Sequence, residues 1–183
     1  MLDDPRFAGR IYTDHFRNAV FPHRDRNGIC GLEIRNDRFR GFSKGGEKGV
    51  WYSRALPEDT TLIICESGID VLSYHALHRP AQAHYFSIAG QMNSRQRILL
   101  TSAMQKLPHG GIVIAATNND PGGIKLAREI REIAEAAARQ DLGLIDHRPD
   151  REGQDWNDVQ RALARSRSPA PNRPGQPANL GPT

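Results

Sequence analysis

The sequence predicts an α/β protein: a four-stranded parallel sheet flanked by helices and preceded by a small antiparallel β-rich lobe. Three observations predict it. From Leu62 to about Ala164, short apolar runs alternate with amphipathic segments. Strands that are apolar throughout belong to sheets buried on both faces, and helices between them imply parallel connections. Upstream, two alternating runs flank a D-R-N-G turn, the pattern of a hairpin. From Ser166 onward the chain is rich in proline and small polar residues, with little to bury. The expected organisation is a basic β-rich lobe over 1–57, an α/β domain over 58–165, and a disordered proline-rich tail or linker over 166–183.

The elements follow in order. AVFPHRDRNGICGLEIRN (19–36) reads as the hairpin, and GFSKGGEKGVWYSRA (41–55) as a glycine- and lysine-containing loop leading into a short strand. TLIIC (61–65) is a buried strand. IDVLSYHALH (69–78) is a helix with Ile69, Leu72 and Leu77 on its apolar side. AHYFSI (83–88) is the second strand of this part, followed by a helix over 94–107 with a serine N-cap. GIVIAAT (111–117) is the third strand. The segment 123–140 is a strong helix with Leu126, Ile130, Ile133 and Ala137 at helical spacing, and GLIDHR (143–148) is the fourth strand.

Composition narrows the class. In 183 residues there are 38% hydrophobic side chains, a formal net charge of +4 and a pI near 9.4, with mean hydropathy −0.61. The chain is long enough for one good core. No apolar run approaches the roughly 18 residues of a membrane span, and MLDDPRFAGR lacks the layout of a secretion signal. A cytoplasmic protein without membrane partners is expected. Cys30 and Cys65 each fall in a predicted strand, with no C-x-x-C pair, so they read as small buried hydrophobes and not as zinc ligands or a disulfide. Arg24, Arg26, Arg35, Arg38, Arg40, Lys44, Lys48 and Arg54 all lie in the first lobe. Positive charge is thus concentrated beside a sheet that presents acids, an arrangement compatible with a polyanionic partner.

In an open α/β sheet, ligands bind outside the carboxyl ends of the strands. Glu66 directly follows the first buried strand and Asp120 the third; Asp70 lies one helical turn after Glu66, and Asp155 comes shortly after the last strand. Carboxylates gathered at one edge repel unless a cation joins them. Hard oxygen ligands suit Mg²⁺, which takes one or two carboxylates plus substrate phosphates. Gly122 and Gly123 leave a helix N-terminus open to a phosphate. Each feature has a plainer reading: Asp120 as a helix cap, Asp70 as a solvated first-turn acid, the Gly-Gly pair as a turn. Their joint placement at one edge favours the metal reading.

These residues also resemble a known family. LIICESGIDVLSY is similar to the first signature of the TOPRIM domain, a strand ending in glutamate followed by a helix with an aspartate in its first turn. IVIAATNNDPGGIKLA resembles the second signature, strand-D-x-D-x-x-G, with Asn118, Asp120 and Gly123 on its positions. SIAGQMNSRQRILL, with Gly90, resembles the loop after the second strand, and GQDWNDVQRAL the closing segment. AVFPHRDRNGICGLEIRN, leading to Arg35, and GGEKGVWYSRA, with Lys48, are similar to the region before the TOPRIM fold in bacterial and plasmid primases.

The resemblance implies a four-stranded parallel TOPRIM sheet binding Mg²⁺ (or Mn²⁺). In primases it implies attack of a 3′-hydroxyl on the α-phosphate of a nucleoside triphosphate, directed by single-stranded DNA. Carried onto this sequence, Asp120 holds the metal with Asp155 or Asp70 assisting, and Glu66 is metal ligand or general acid/base. Asn118 occupies the place of the first aspartate. Arg35, Lys44 and Lys48 hold template or nucleotide phosphates, or else form a solvated basic face. The expected function is primase-like nucleotidyl transfer in a plasmid or other mobile element, with a relaxase or helicase as a further partner. Two alternatives stand beside it: a TOPRIM nuclease or strand-cleaving enzyme, and a non-catalytic nucleic-acid-binding module. The second follows from Asn118, which is uncharged and a weaker Mg²⁺ ligand. A further departure is Ser67 in place of the glycine that follows the motif glutamate.

Overall fold

The computed structural model describes residues 4–167. Of the expected tail, Ser166 and Arg167 belong to the last helix, and the rest lies outside the described residues. The small lobe is an antiparallel sheet of β1 (Tyr12–Thr13), β2 (Ala19–Asp25), β3 (Gly28–Arg35) and β4 (Arg40–Phe42), in that order. The hairpin turns where the sequence predicts, with Asp25 paired to Gly28, whose φ of 122° suits glycine alone. Directly paired residues share a face. Ala19, Arg35 and Arg40 therefore project together on one side of the lobe.

The second sheet contains β5 (Trp51–Tyr52), β6 (Thr61–Cys65), β7 (Ala83–Ser87), β8 (Ile112–Ala115) and β9 (Gly143–Asp146), ordered β5-β7-β6-β8-β9. The four expected strands are parallel. The short strand after the glycine loop adds a fifth, antiparallel edge, with Trp51 opposite Ser87. It joins this sheet and not the small lobe, and Val50 just before it bridges to Arg24 of β2. This strand is the seam between the two sheets.

Alternation along β6 supplies both layers of the core. Leu62 and Ile64 pack with Leu100 and Met104 of α2 (Ser94–Gln105) and Ile130 and Ile133 of α3 (Pro121–Ala136). Ile63 and Cys65 pack on the other face with Val71 and Tyr74 of α1 (Gly68–His78) and Trp156 of α4 (Trp156–Arg167). Leu126, Ile130, Ile133 and Ala137 are all buried, as their spacing requires. On α1 the deepest positions are Asp70, Val71 and Tyr74, while Ile69, Leu72 and Leu77 are only half-buried. Because α4 packs on α1 as well as the sheet, the buried stripe turns away from the purely apolar one. The cap of α2 is Asn93 and not a serine: it accepts the Gln96 amide at 2.8 Å, and the Gln96 side chain accepts the Asn93 amide at 2.9 Å. Both cysteines are free; Cys65 is buried and Cys30 half-buried. Among the described residues no helix is long and apolar enough to cross a membrane.

The small lobe seats on the N-terminus of α1. Phe21 is fully buried, and a Cβ on Gly68 would collide with its ring. Glycine at 68 is thus a packing requirement.

Candidate functional site

The N-termini of α1, α3 and α4 all lie at the carboxyl edge of the parallel strands, so three helix dipoles present positive ends there. Each is closed by a short polar side chain. Ser67 caps α1 by accepting the Asp70 amide. Asp120 caps α3, with Oδ1 accepting the Gly123 amide at 2.8 Å. Asp155 stands just before α4 and accepts the Asp158 amide at 2.7 Å. The capping reading of Asp120 is therefore correct as far as this oxygen goes; its Oδ2 makes no hydrogen bond of this kind.

Glu66, Asp70, Asn118 and Asp155 line one cleft of about 580 Å³ between the sheet edge and the small lobe. The opposite wall carries Arg17, Arg35 and Arg40, and Arg161 of α4 joins them. An acidic rim thus faces an arginine wall. Glu66 Oε1 accepts the Asn118 amide at 3.0 Å, which ties the end of β6 to the turn after β8. Asp155 arrives by a second tie: Asn119 exchanges backbone hydrogen bonds with Gln154 (2.9 Å) and Gly153 (2.6 Å), and its side chain donates to the Pro149 carbonyl. Trp156, buried and donating to the Ala116 carbonyl at 3.1 Å, anchors the start of α4.

The carboxylates feel one another. Burial raises the pKa of Glu66, against the Asn118 hydrogen bond, and the charges of Asp120 and Asp155 raise it further. Asp70 is only 4% exposed. Burial pushes its carboxyl up to about 7, against the Ser67 hydroxyl bond and with help from Asp155, Glu66 and Glu33.

Glu33 is the residue that sequence reasoning misses. It lies mid-strand in β3, fully buried, and accepts from the Gly68 amide at 3.1 Å, the Ser87 hydroxyl at 3.0 Å and Arg35 Nε at 2.8 Å. His23 Nε2 stands 3.5 Å away, its other nitrogen bonded to the Gly49 carbonyl. Burial opposes the charge of Glu33, but His23 and Arg35 together hold its pKa below the usual carboxylate value. One carboxylate therefore joins both sheets, α1 and Arg35, and holds Arg35 against the cleft. Arg17 also escapes sequence reading. It sits at φ 64° in a turn organised by Asp14, whose carboxylate accepts the Phe16 and Asn18 amides, each at 2.9 Å.

The remaining expected residues fall as follows. Lys48 is half-buried, and its Nζ would be 4.0 Å from a Cβ on Gly90, a cleft-lining glycine. Lys44 is exposed on the loop and is not among the cleft-lining residues. Gly122 lines a small adjoining hollow with Glu66 and Lys125. Gly123 already donates its amide to Asp120, and a Cβ there would collide with the Asn118 carbonyl, so the close turn itself requires glycine.

Asn118 Oδ1 bears on a metal ion. It is buried and has no hydrogen-bond partner. A buried acceptor left unpaired is costly, and a hard cation would satisfy it. Among the described residues, no group of three or more His, Cys, Asp or Glu side chains already stands close enough to hold a metal. Asn118 Oδ1 is thus the observation that bears on a hard cation such as Mg²⁺, which takes one or two carboxylates with water and phosphate oxygens.

The fold and the cleft define an α/β module whose strand-end acids face a basic wall. The chain belongs to the Toprim-like family, whose model matches residues 63–160. Residues 1–60 match a second family, described as "Protein of unknown function (DUF3991)". No curated protein matches. Among solved structures, the crystal structure of the RNA polymerase domain of Mycobacterium tuberculosis primase DnaG is similar, at 14% identity and a TM-score of 0.43. The match covers 86% of this chain and 59% of that one.

Proposed function

We propose that the chain is a Mg²⁺-dependent nucleic-acid-processing module that carries out primase-like nucleotidyl transfer on single-stranded DNA. The observation that carries this reading is the cleft itself, where an acidic rim bearing an unpaired Asn118 oxygen faces Arg17, Arg35 and Arg40. A metal bound to the rim would supply Lewis acidity at a phosphate oxygen. The chain's own residues do the rest. Arg35, held by Glu33, and Arg40 beside it neutralise phosphate charge from the opposite wall. Glu66, with its pKa raised, is the group in the cleft suited to accept a proton from an attacking hydroxyl or to hold the metal. Asp120, Asp155 and Asp70 are the acids that assist it, and Lys48 adds charge beside Gly90. Lys44 and Gly122 belong to the outer part of the nucleotide-binding surface, and Gly123, buried with its amide on Asp120, serves it only by closing the turn. The plasmid or mobile-element setting, with a relaxase or helicase as neighbour, rests on the sequence resemblance alone.

Incubation with nucleoside triphosphates, Mg²⁺ and single-stranded DNA should yield short labelled oligonucleotides. Glu66→Gln should reduce that yield at least about 100-fold, in line with removal of a general acid/base. Retention of activity by Glu66→Gln would overturn the assignment. Asn118 favours a second reading, a binding module without catalysis, because a neutral amide is a weaker ligand than a carboxylate. That reading predicts an inert native chain in which Asn118→Asp gains Mg²⁺-dependent activity.

A further inference from the structure

A second groove, of about 1010 Å³, opens over the β5–β7 edge and is lined by none of the acids above. Its floor is aromatic. The Tyr52 and Phe86 rings lie 5.7 Å apart, His84 stands 5.7 Å from Phe86, and the Arg10 guanidinium covers Tyr52 at 4.7 Å. Two of the four buried side-chain polar atoms without a hydrogen-bond partner among the described residues line this groove: Arg10 Nε and His84 Nδ1. Its rim carries Arg24, Arg26 and Lys106. Asp25 and Asp59, also at the groove, are occupied by Arg95 and Arg6. Arg24 follows the β-bulge at His23/Arg24, a device that re-aims side chains.

We infer that this groove holds a short run of single-stranded nucleic acid, apart from the cleft. The half-buried Tyr52 and His84 rings, with Phe86 buried beneath them, offer a stacking surface to a base, Arg10 adds a cation to that surface, and the rim cations match the phosphates. Base edges would supply the partners that Arg10 Nε and His84 Nδ1 lack. The three rim cations come from two elements, Arg24 and Arg26 from the β2–β3 hairpin and Lys106 from the end of α2. They suit a backbone crossing the groove better than the single phosphate of a free mononucleotide.

Binding of a fluorescent dT20 by the full chain, measured over a range of salt, tests this. Arg26→Glu/Lys106→Glu changes two exposed side chains outside the cleft. It should weaken binding about tenfold and lower the slope of log affinity against log salt by about 1.4, two single-strand phosphate contacts. Tyr52→Ala should weaken binding by a similar factor with the slope unchanged. Irradiated 5-iododeoxyuridine oligonucleotides should cross-link to Tyr52 or His84. Affinity and slope unchanged in the double variant would overturn the proposal, as would cross-links confined to the cleft or no binding of dT20. Competition by free dTMP as strong as by an oligonucleotide of equal base concentration would overturn the strand as occupant.

Discussion

Asp70 shows how a residue can be read from sequence in position but not in state. Its place one turn after Glu66 puts it at the cleft, as the spacing predicts. Its depth does not follow from spacing, because α4 closes over α1 from the far end of the chain. A carboxyl raised from 3.8 to about 7 binds a proton in the folded chain that the unfolded chain has released. Stability of the metal-free protein should therefore fall as pH rises from about 4 to 7. Asp70→Asn, which mimics the protonated form, should flatten that decline and be more stable than the native protein at pH 8 by about 1–3 kcal/mol. Urea unfolding at pH 5 and pH 8 checks it; a variant less stable at pH 8 would contradict the assigned burial cost. Glu33 is the opposite case. An acid inside an alternating strand ordinarily faces solvent, and nothing local says that His23, Ser87 and Arg35 meet there.

At the scale of elements, the four parallel strands and the helices between them were legible because their apolar runs are continuous and their punctuation is strong. The ends were less so. The strand over 111–117 pairs only through Ile112–Ala115, since the chain must leave the sheet to bring Asn118 under Glu66. The edge strand β5 is only two residues long, too short for periodicity to reveal which sheet it joins. In sequence the last helix is no more than a closing segment, yet α4 and the residue before it bring Asp155, Asn157 and Arg161 to the cleft. Trp156 holds it in place. Trp156→Ala should cost about 3–5 kcal/mol of stability by thermal or urea unfolding, as for other buried aromatic deletions. It should also weaken Mg²⁺-dependent stabilisation, because Asp155 loses its anchor. A loss under 1 kcal/mol would mean α4 is held by other contacts.

At the scale of the whole molecule, the small lobe brings Arg17, Arg35 and Arg40, with Asp37 among them, to the cleft to face Glu66, Asp70 and Asp155. The hairpin face that carries Ala19, Arg35 and Arg40 is set against the strand ends by Phe21 on Gly68 and by the Glu33 carboxylate. The sequence already showed basic residues upstream and acids downstream; it could not show that one buried glutamate joins them. On the function proposed, Glu66 and its neighbours form an oxygen site for a divalent cation facing those arginines. Titration of Mn²⁺ followed by electron paramagnetic resonance tests it most directly. The native chain should bind the ion, more tightly when a nucleoside triphosphate is present, and Glu66→Gln should weaken that binding at least about tenfold. Equal binding by both proteins, or none by either, would contradict the account.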